Sequence, residues 1–169
     1  MFTRIRNRLV LGVGAVVLAG GLMACDEGSA AVAPEAQEMQ ADAVLAAMVA
    51  AIQDEYRAEL IYERVIGDFG PVRPFSNIIN AEVRHSASLA SLFVARGLPV
   101  PESQWSADQI PGFSTLTEAC GAGVTAEIEN AEIYDEYMDL DLPADVRMVF
   151  ENNRRASIEN HLPAFQRCS

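Results

Sequence analysis

Glu82 and His85 stand three residues apart in "NAEVRH", inside an otherwise apolar, helix-like stretch. On a helix that spacing puts a carboxylate and an imidazole on one face, where both can reach one cation. A lone Glu-x-x-His pair is common by chance, and on a wet helix face it does nothing. Its meaning depends on partners arriving from elsewhere in the chain. Glu55, Glu59, Glu127 and His161 are the candidates, because each interrupts a different apolar stripe or extends such an interruption. Burying an isolated carboxylate is costly unless it is paired or coordinated. Interruptions near the middle of several helical segments therefore point to one shared polar site. Carboxylate oxygen with imidazole nitrogen suits iron, manganese or zinc rather than a soft thiophilic ion.

The stripes also define the elements that must position these groups. Apolar residues recur at steps of three and four, with almost no strand-like alternation, so the chain is expected to be all-α. Leu45, Met48, Ile52, Glu55 and Tyr62 predict a helix over about 43–69, closed by Gly70 and Pro71. Ile78, Glu82, His85 and Leu89 predict a second over about 75–96, closed by Gly97. Cys120, Glu127, Tyr134 and Met138 predict a third over about 116–139. The fourth opens near Pro143 and carries Phe150, Arg154, Ser157, His161 and Phe165 on one face, with Pro163 expected to kink or end it.

The connections are unequal. Helices one and two are joined by about five residues, as are three and four, so each pair forms an antiparallel hairpin. Helices two and three are separated by "GLPVPESQWSADQIPGFST", about nineteen residues rich in Pro and Gly. That length suits a crossover running along a bundle, and an up-down bundle with a long loop is the alternative. Trp105, in this link, is expected to cover the bundle.

An internal echo bears on the site. Tyr62 follows Glu55 by seven residues, and Tyr134 follows Glu127 by seven. Seven residues are two turns, so each tyrosine shares its glutamate's face, roughly 10 Å along the axis. One such pair reads as ordinary amphipathic core. The repeat favours tyrosines that orient ligands across the bundle.

"DEYRAELIY", "GPVRPFSNIINAEVRH", "AGVTAEIENAEIYDEY" and "NNRRASIENHLPAF" together resemble the bacterial ferritin-like family catalogued as domain of unknown function 2202. The resemblance spans nearly all of 42–168, and it implies a ferritin-like four-helix bundle, two antiparallel hairpins joined by a long crossover. It further implies a metal site, and the wider ferritin-like group implies carboxylate-bridged di-iron chemistry, which makes iron the first expectation. In that pattern helices one and three each supply a Glu, and helices two and four each supply Glu-x-x-His. Glu55, Glu82, His85, Glu127 and His161 match it as metal ligands. The helix-four glutamate is missing: Ile158 stands three residues before His161 and Ser157 four before. Arg154 would bring a fixed positive charge to that face. One ion is therefore favoured over a full di-iron centre, with Glu59, Tyr62, Tyr134 and Arg154 as side chains around the ligands.

The N-terminus reads as an address. Arg4, Arg6 and Arg8 precede the sixteen-residue apolar run "LVLGVGAVVLAGGLMA", the pattern of a secretory signal. It ends in "LMAC", which resembles the lipobox of bacterial lipoproteins. Residues 1–24 are accordingly expected to be removed and Cys25 lipidated, a plain signal peptide cut nearby being the alternative. Residues 25–41 read as a flexible acidic tether, and 42–169 as the ferritin-like domain. Every basic residue is arginine; loss of three from twelve leaves nine against twenty-four acids, a net charge of −15. No basic surface remains to neutralise phosphates, which excludes a nucleic-acid binder and leaves the lipid anchor as the hold on the membrane. No Ser/His/Asp or Cys/His arrangement and no Gly-rich phosphate loop accompanies the carboxylates.

Cys120 lies seven residues before Glu127, and Cys168 seven after His161. If helices three and four are antiparallel and those two ligands share a layer, both sulfurs fall two turns beyond it, on the same side. In an oxidising compartment they are expected to form a disulfide. The whole reading is an extracytoplasmic, lipid-anchored, metal-binding bundle of the bacterial cell envelope, with iron-dependent oxidase or ferroxidase-like activity as its furthest extension. The alternatives are a metal-free scaffold, its acids held by Arg84, Arg154 or Arg155, and a lipoprotein that docks a protein partner.

Overall fold

The computed structural model describes residues 34–168. The expected signal peptide, Cys25 and the first part of the tether lie outside the described residues. Among those described there is no strand, and no helix is long and apolar enough to cross a membrane. Helix α1 spans Pro34–Phe69, α2 Phe75–Ala95, α3 Leu116–Tyr137 and α4 Ala144–Ala156. A π-helical turn, Ser157–His161, then leads directly into α5, Leu162–Gln166. Helix α1 begins earlier than its apolar stripe predicts, so residues 34–41, expected as tether, are helical.

The ends are set by local chemistry. Gly97 adopts φ 67°, and the Leu98 and Gly97 N–H groups bond the carbonyls of Phe93 and Val94, which closes α2. Thr115 accepts the Glu118 N–H at 3.1 Å, while the Glu118 carboxylate accepts from Ser114 N–H, which opens α3. Pro163 neither ends nor breaks the last helix. It lacks an N–H and crowds the carbonyl four residues back. The turn before it is widened instead, with the Leu162 N–H reaching the Ser157 carbonyl, five residues back. That extra residue puts Ser157 and His161 on one inward line, and both are buried.

Two apolar clusters form the core. One gathers Met48 and Ile52 of α1, Leu89 and Phe93 of α2, Tyr134 of α3, and Val146 and Phe150 at the start of α4. The other gathers Tyr62 and Val65 of α1, Phe75 and Ile78 of α2, Cys120 of α3, and Phe165 of α5. Each of α1, α2 and α3 therefore runs from one cluster to the other, and so does the α4–α5 rod. The link between α2 and α3 touches both: Leu98 packs on the first, Ile110 and Phe113 on the second. Gln53 of α1 holds it between, donating to the Glu102 carbonyl at 2.8 Å and accepting the Gln104 N–H at 2.8 Å. Trp105 lies on the outside of α1, with the Arg57 guanidinium 5.6 Å from its ring centroid.

At the second cluster Cys120 and Cys168 are joined in a disulfide, their Cα atoms 5.7 Å apart. Gly123 lies beside them because Phe165 leaves no room: a Cβ there would meet the ring at 2.5 Å. The glycine lets α5 close on α3, and this contact helps to fix the rod on which His161 sits.

Candidate metal centre

Between the two apolar clusters lies a polar layer. Glu55 of α1, Glu82 of α2, Glu127 of α3 and His161 of the π turn are all buried, and His85 of α2 is nearly so, with 12% of its side chain exposed. Each occupies a position that periodicity assigns to the core, which is why the chain folds them inward despite their polarity. Their ligand atoms form two groups, Glu55 with Glu82 and His85, and Glu82 with Glu127 and His161. Within each group the atoms lie within 4.8 Å of one another.

Glu82 is the shared member. Its Oε2 is 3.0 Å from His85 Nδ1, and its Oε1 is 3.0 Å from His161 Nδ1. Glu55 Oε2 stands 3.5 Å from His85 Nδ1, and Glu127 Oε2 stands 3.3 Å from His161 Nδ1. The two imidazoles are stacked at 5.5 Å between centroids. The arrangement has approximate two-fold character, with one carboxylate between two Glu/His halves.

The far oxygens of the outer carboxylates are tied back. Tyr134 of α3 donates to Glu55 Oε1, and Tyr62 of α1 donates to Glu127 Oε1 at 2.5 Å. Each tyrosine thus serves the glutamate of the opposite helix. The seven-residue echo within a helix becomes an exchange between helices, because α1 and α3 pack face to face. Asn130 of α3 donates to Glu55 Oε1 at 3.2 Å and to Asp54 at 2.8 Å, and accepts from the Ser157 hydroxyl at 2.6 Å. Asn153 donates to the Tyr134 hydroxyl at 3.1 Å.

Three atoms in this layer are buried without a hydrogen-bond partner among the described residues: Glu55 Oε2, Glu82 Oε1 and His161 Nδ1. The last two approach to 3.0 Å, yet they are not aligned as donor and acceptor. Orphaned buried polar atoms are costly and rare. Here they converge from three elements on a common space, which is what ligand atoms around a cation do.

Electrostatics tell the same story. Burial raises the Glu55 carboxyl to about 7, with His85 pulling the other way. Burial would lower His85, but Glu55 and Glu82 overcome it and raise the imidazole to about 10. Glu127 and Glu82 likewise overcome burial at His161 and raise it to about 9. For Glu82 burial is outweighed by His161 and His85, and its carboxyl falls below the usual range. In the absence of a metal, protons are the cations of this layer.

Comparison with family models, curated proteins and solved structures finds no match to this chain. The residues alone carry the reading.

One expected neighbour of the ligands is absent from the layer. Arg154 does not enter the layer; it pairs with Asp135 on the surface, its Nε 2.5 Å from the carboxylate. Asn153 takes the inward position, since the 3-4-4-4 stepping of Phe150, Asn153, Ser157, His161 and Phe165 leaves Arg154 outside, and an amide needs no counter-charge there. Glu59 flanks the layer, the place expected of a side chain around the ligands; it is half-buried and accepts from the Ser86 hydroxyl at 2.6 Å. Arg84 and Arg155 are exposed, so the arginine network of the metal-free alternative is not formed. The ion-pair partners of Glu55, Glu82 and Glu127 are His85 and His161. Asn130 and Asn153 were missed, although each is a polar residue in an inward register.

Proposed function

We propose that this protein is a ferritin-like bundle that binds a transition metal through Glu55, Glu82, His85, Glu127 and His161. The observation that carries the reading is the convergence of unpartnered buried atoms, Glu55 Oε2, Glu82 Oε1 and His161 Nδ1. Three carboxylates and two imidazoles offer hard oxygen and borderline nitrogen donors, which fit iron first and manganese or zinc next. Bound iron would supply one-electron redox chemistry towards dioxygen or peroxide. The chain's own contribution is to hold the ligands: the two tyrosines fix the outer carboxylates, and the apolar clusters above and below keep the layer dry.

The link that touches both clusters supports the ferritin-like crossover, with α2 and α3 running in the same sense. The bridging position of Glu82 supports one tightly held ion and a second, weaker position, since a second divalent ion sharing that carboxylate meets the charge of the first. Lipid anchoring through Cys25 at the bacterial envelope belongs to the same proposal and rests on the sequence of the N-terminus.

A metal-free reading has one observation in its favour. Both histidines hold protons strongly and can serve the acids as counter-charges. It leaves the three orphaned atoms unexplained. Manganese titration of the chelator-treated protein decides between the two: tight uptake that His85→Ala and His161→Ala reduce supports the metal, and no uptake supports the scaffold.

A further inference from the structure

Resting on the metal-binding reading above, we infer that the two halves of the centre are unequal, and that the Glu82–Glu127–His161 half fills first. The difference lies in what an arriving ion must break. In the Glu55 half, His85 Nδ1 and Glu82 Oε2 are already joined by a hydrogen bond at 3.0 Å, and Glu55 Oε2 is the one orphaned atom. In the Glu127 half, Glu82 Oε1 and His161 Nδ1 lie as close, yet both are orphaned. An ion entering the first half displaces a formed hydrogen bond. An ion entering the second relieves two unsatisfied buried atoms and breaks no aligned hydrogen bond; in either half it displaces an imidazole proton held by the carboxylates.

The surroundings bias the halves in the same direction. Glu55 Oε1 accepts from both Tyr134 and Asn130, and each donor draws negative charge away from the carboxylate. Among the described residues, Glu127 Oε1 accepts from Tyr62 and from no second donor. Tyr62 is seated among Phe75 and Phe165, an apolar setting that adds no competing donor. Glu127 therefore keeps more of its charge for a cation. His161 is also the less exposed imidazole, 7% against 12% for His85, so an ion beside it exchanges less readily with water.

Asn130 and Ser157 create this asymmetry. Their mutual bond fills the inward position on the last helix where a second carboxylate would otherwise stand, and it steers the Asn130 amide onto Glu55. These two are positioning residues for the weaker half.

Manganese binding to the purified full chain tests the order, followed by loss of the free-ion resonance signal. His85→Ala should retain one tight equivalent, whereas His161→Ala should weaken the first equivalent by more than about 100-fold, beyond the effect of losing an outer partner. Equal loss in both variants, or retention by His161→Ala alone, would overturn the order. Anomalous scattering from wild-type crystals loaded with one equivalent of manganese gives the answer without any variant. A peak beside His161 supports the inference, and one beside His85 overturns it while leaving the metal-binding reading intact. A wild type that takes up no manganese, iron or zinc removes that reading and this one with it.

Discussion

The Tyr62 hydroxyl of α1 donates to the Glu127 carboxylate of α3 at 2.5 Å. Tyr134 of α3 gives the same bond back to Glu55 of α1. The two helices exchange a tyrosine for a carboxylate in both directions, and each outer carboxylate is oriented by the helix it faces. Phenylalanine at either position keeps the ring in its apolar cluster and removes only the donor. Tyr62→Phe and Tyr134→Phe should each lower metal affinity by about 10- to 100-fold, with a stability cost of about 1–3 kcal/mol from the buried oxygen left short of a donor. Wild-type manganese affinity in both variants would reduce the hydroxyls to packing atoms.

The protonated layer predicts opposite pH trends with and without metal. His85 and His161 are raised from an ordinary 6.5 to about 10 and about 9. Their contribution to metal-free stability is complete below about pH 6.5 and lost as pH rises through those values. Glu55, raised from 4.5 to about 7, acts in the same direction over a lower window. Metal binding requires these groups to release protons, so affinity rises with pH. The melting temperature of chelator-treated protein should fall between pH 6 and pH 9, and the increment added by metal should grow. A metal-free protein that gains stability over that window contradicts the assignment.

The π turn decides where a fourth carboxylate could be restored. The expected Glu-x-x-His pattern selects Ile158, three residues before His161, but along the π turn Ser157 is buried and Ile158 only half-buried. Ser157→Asp should strengthen the second equivalent of metal, and Ile158→Glu should not. A stronger second equivalent in Ile158→Glu alone would mean that the turn is α-helical in the loaded protein.

The Cys120–Cys168 bond closes a loop of 48 residues. On the chain-entropy view a loop of that length stabilises by about 4 kcal/mol. Thiol titration of the denatured, unreduced domain should find neither cysteine reactive, and reduction should lower the melting temperature. Two reactive thiols would remove the bond.

Much of this was readable in the residues. Four helical stripes, the glycine stops at Gly70 and Gly97, and the inward register of Glu55, Glu82, His85, Glu127 and His161 all follow from periodicity, because burial is periodic in a helix. What periodicity could not supply was the partner across the interface. The seven-residue echo puts Tyr62 on the face of Glu55 and points across the bundle, without naming Glu127 of α3 as the acceptor of its hydroxyl. Arg154 is expected inward and Asn153 takes that place, because adjacent residues differ by about 100° on a helix and a short stripe leaves its own axis uncertain by that much. Pro163 signalled a distortion, but only its neighbours' hydrogen bonds reveal that the distortion is a π turn that aims His161. Glu59 has the register of a ligand and lacks the depth.

The central claim is that the polar layer exists to hold metal, and Glu82, shared by both halves, is its most exposed point of failure. Purified chain should be saturated with ferrous iron under anaerobic conditions, or with manganese, freed of loose ions, and its metal counted by elemental analysis. At least one retained ion per chain, abolished by Glu82→Gln in a protein that keeps its helical spectrum, is the result expected. Wild type that retains none, or Glu82→Gln that retains as much as wild type, contradicts the account.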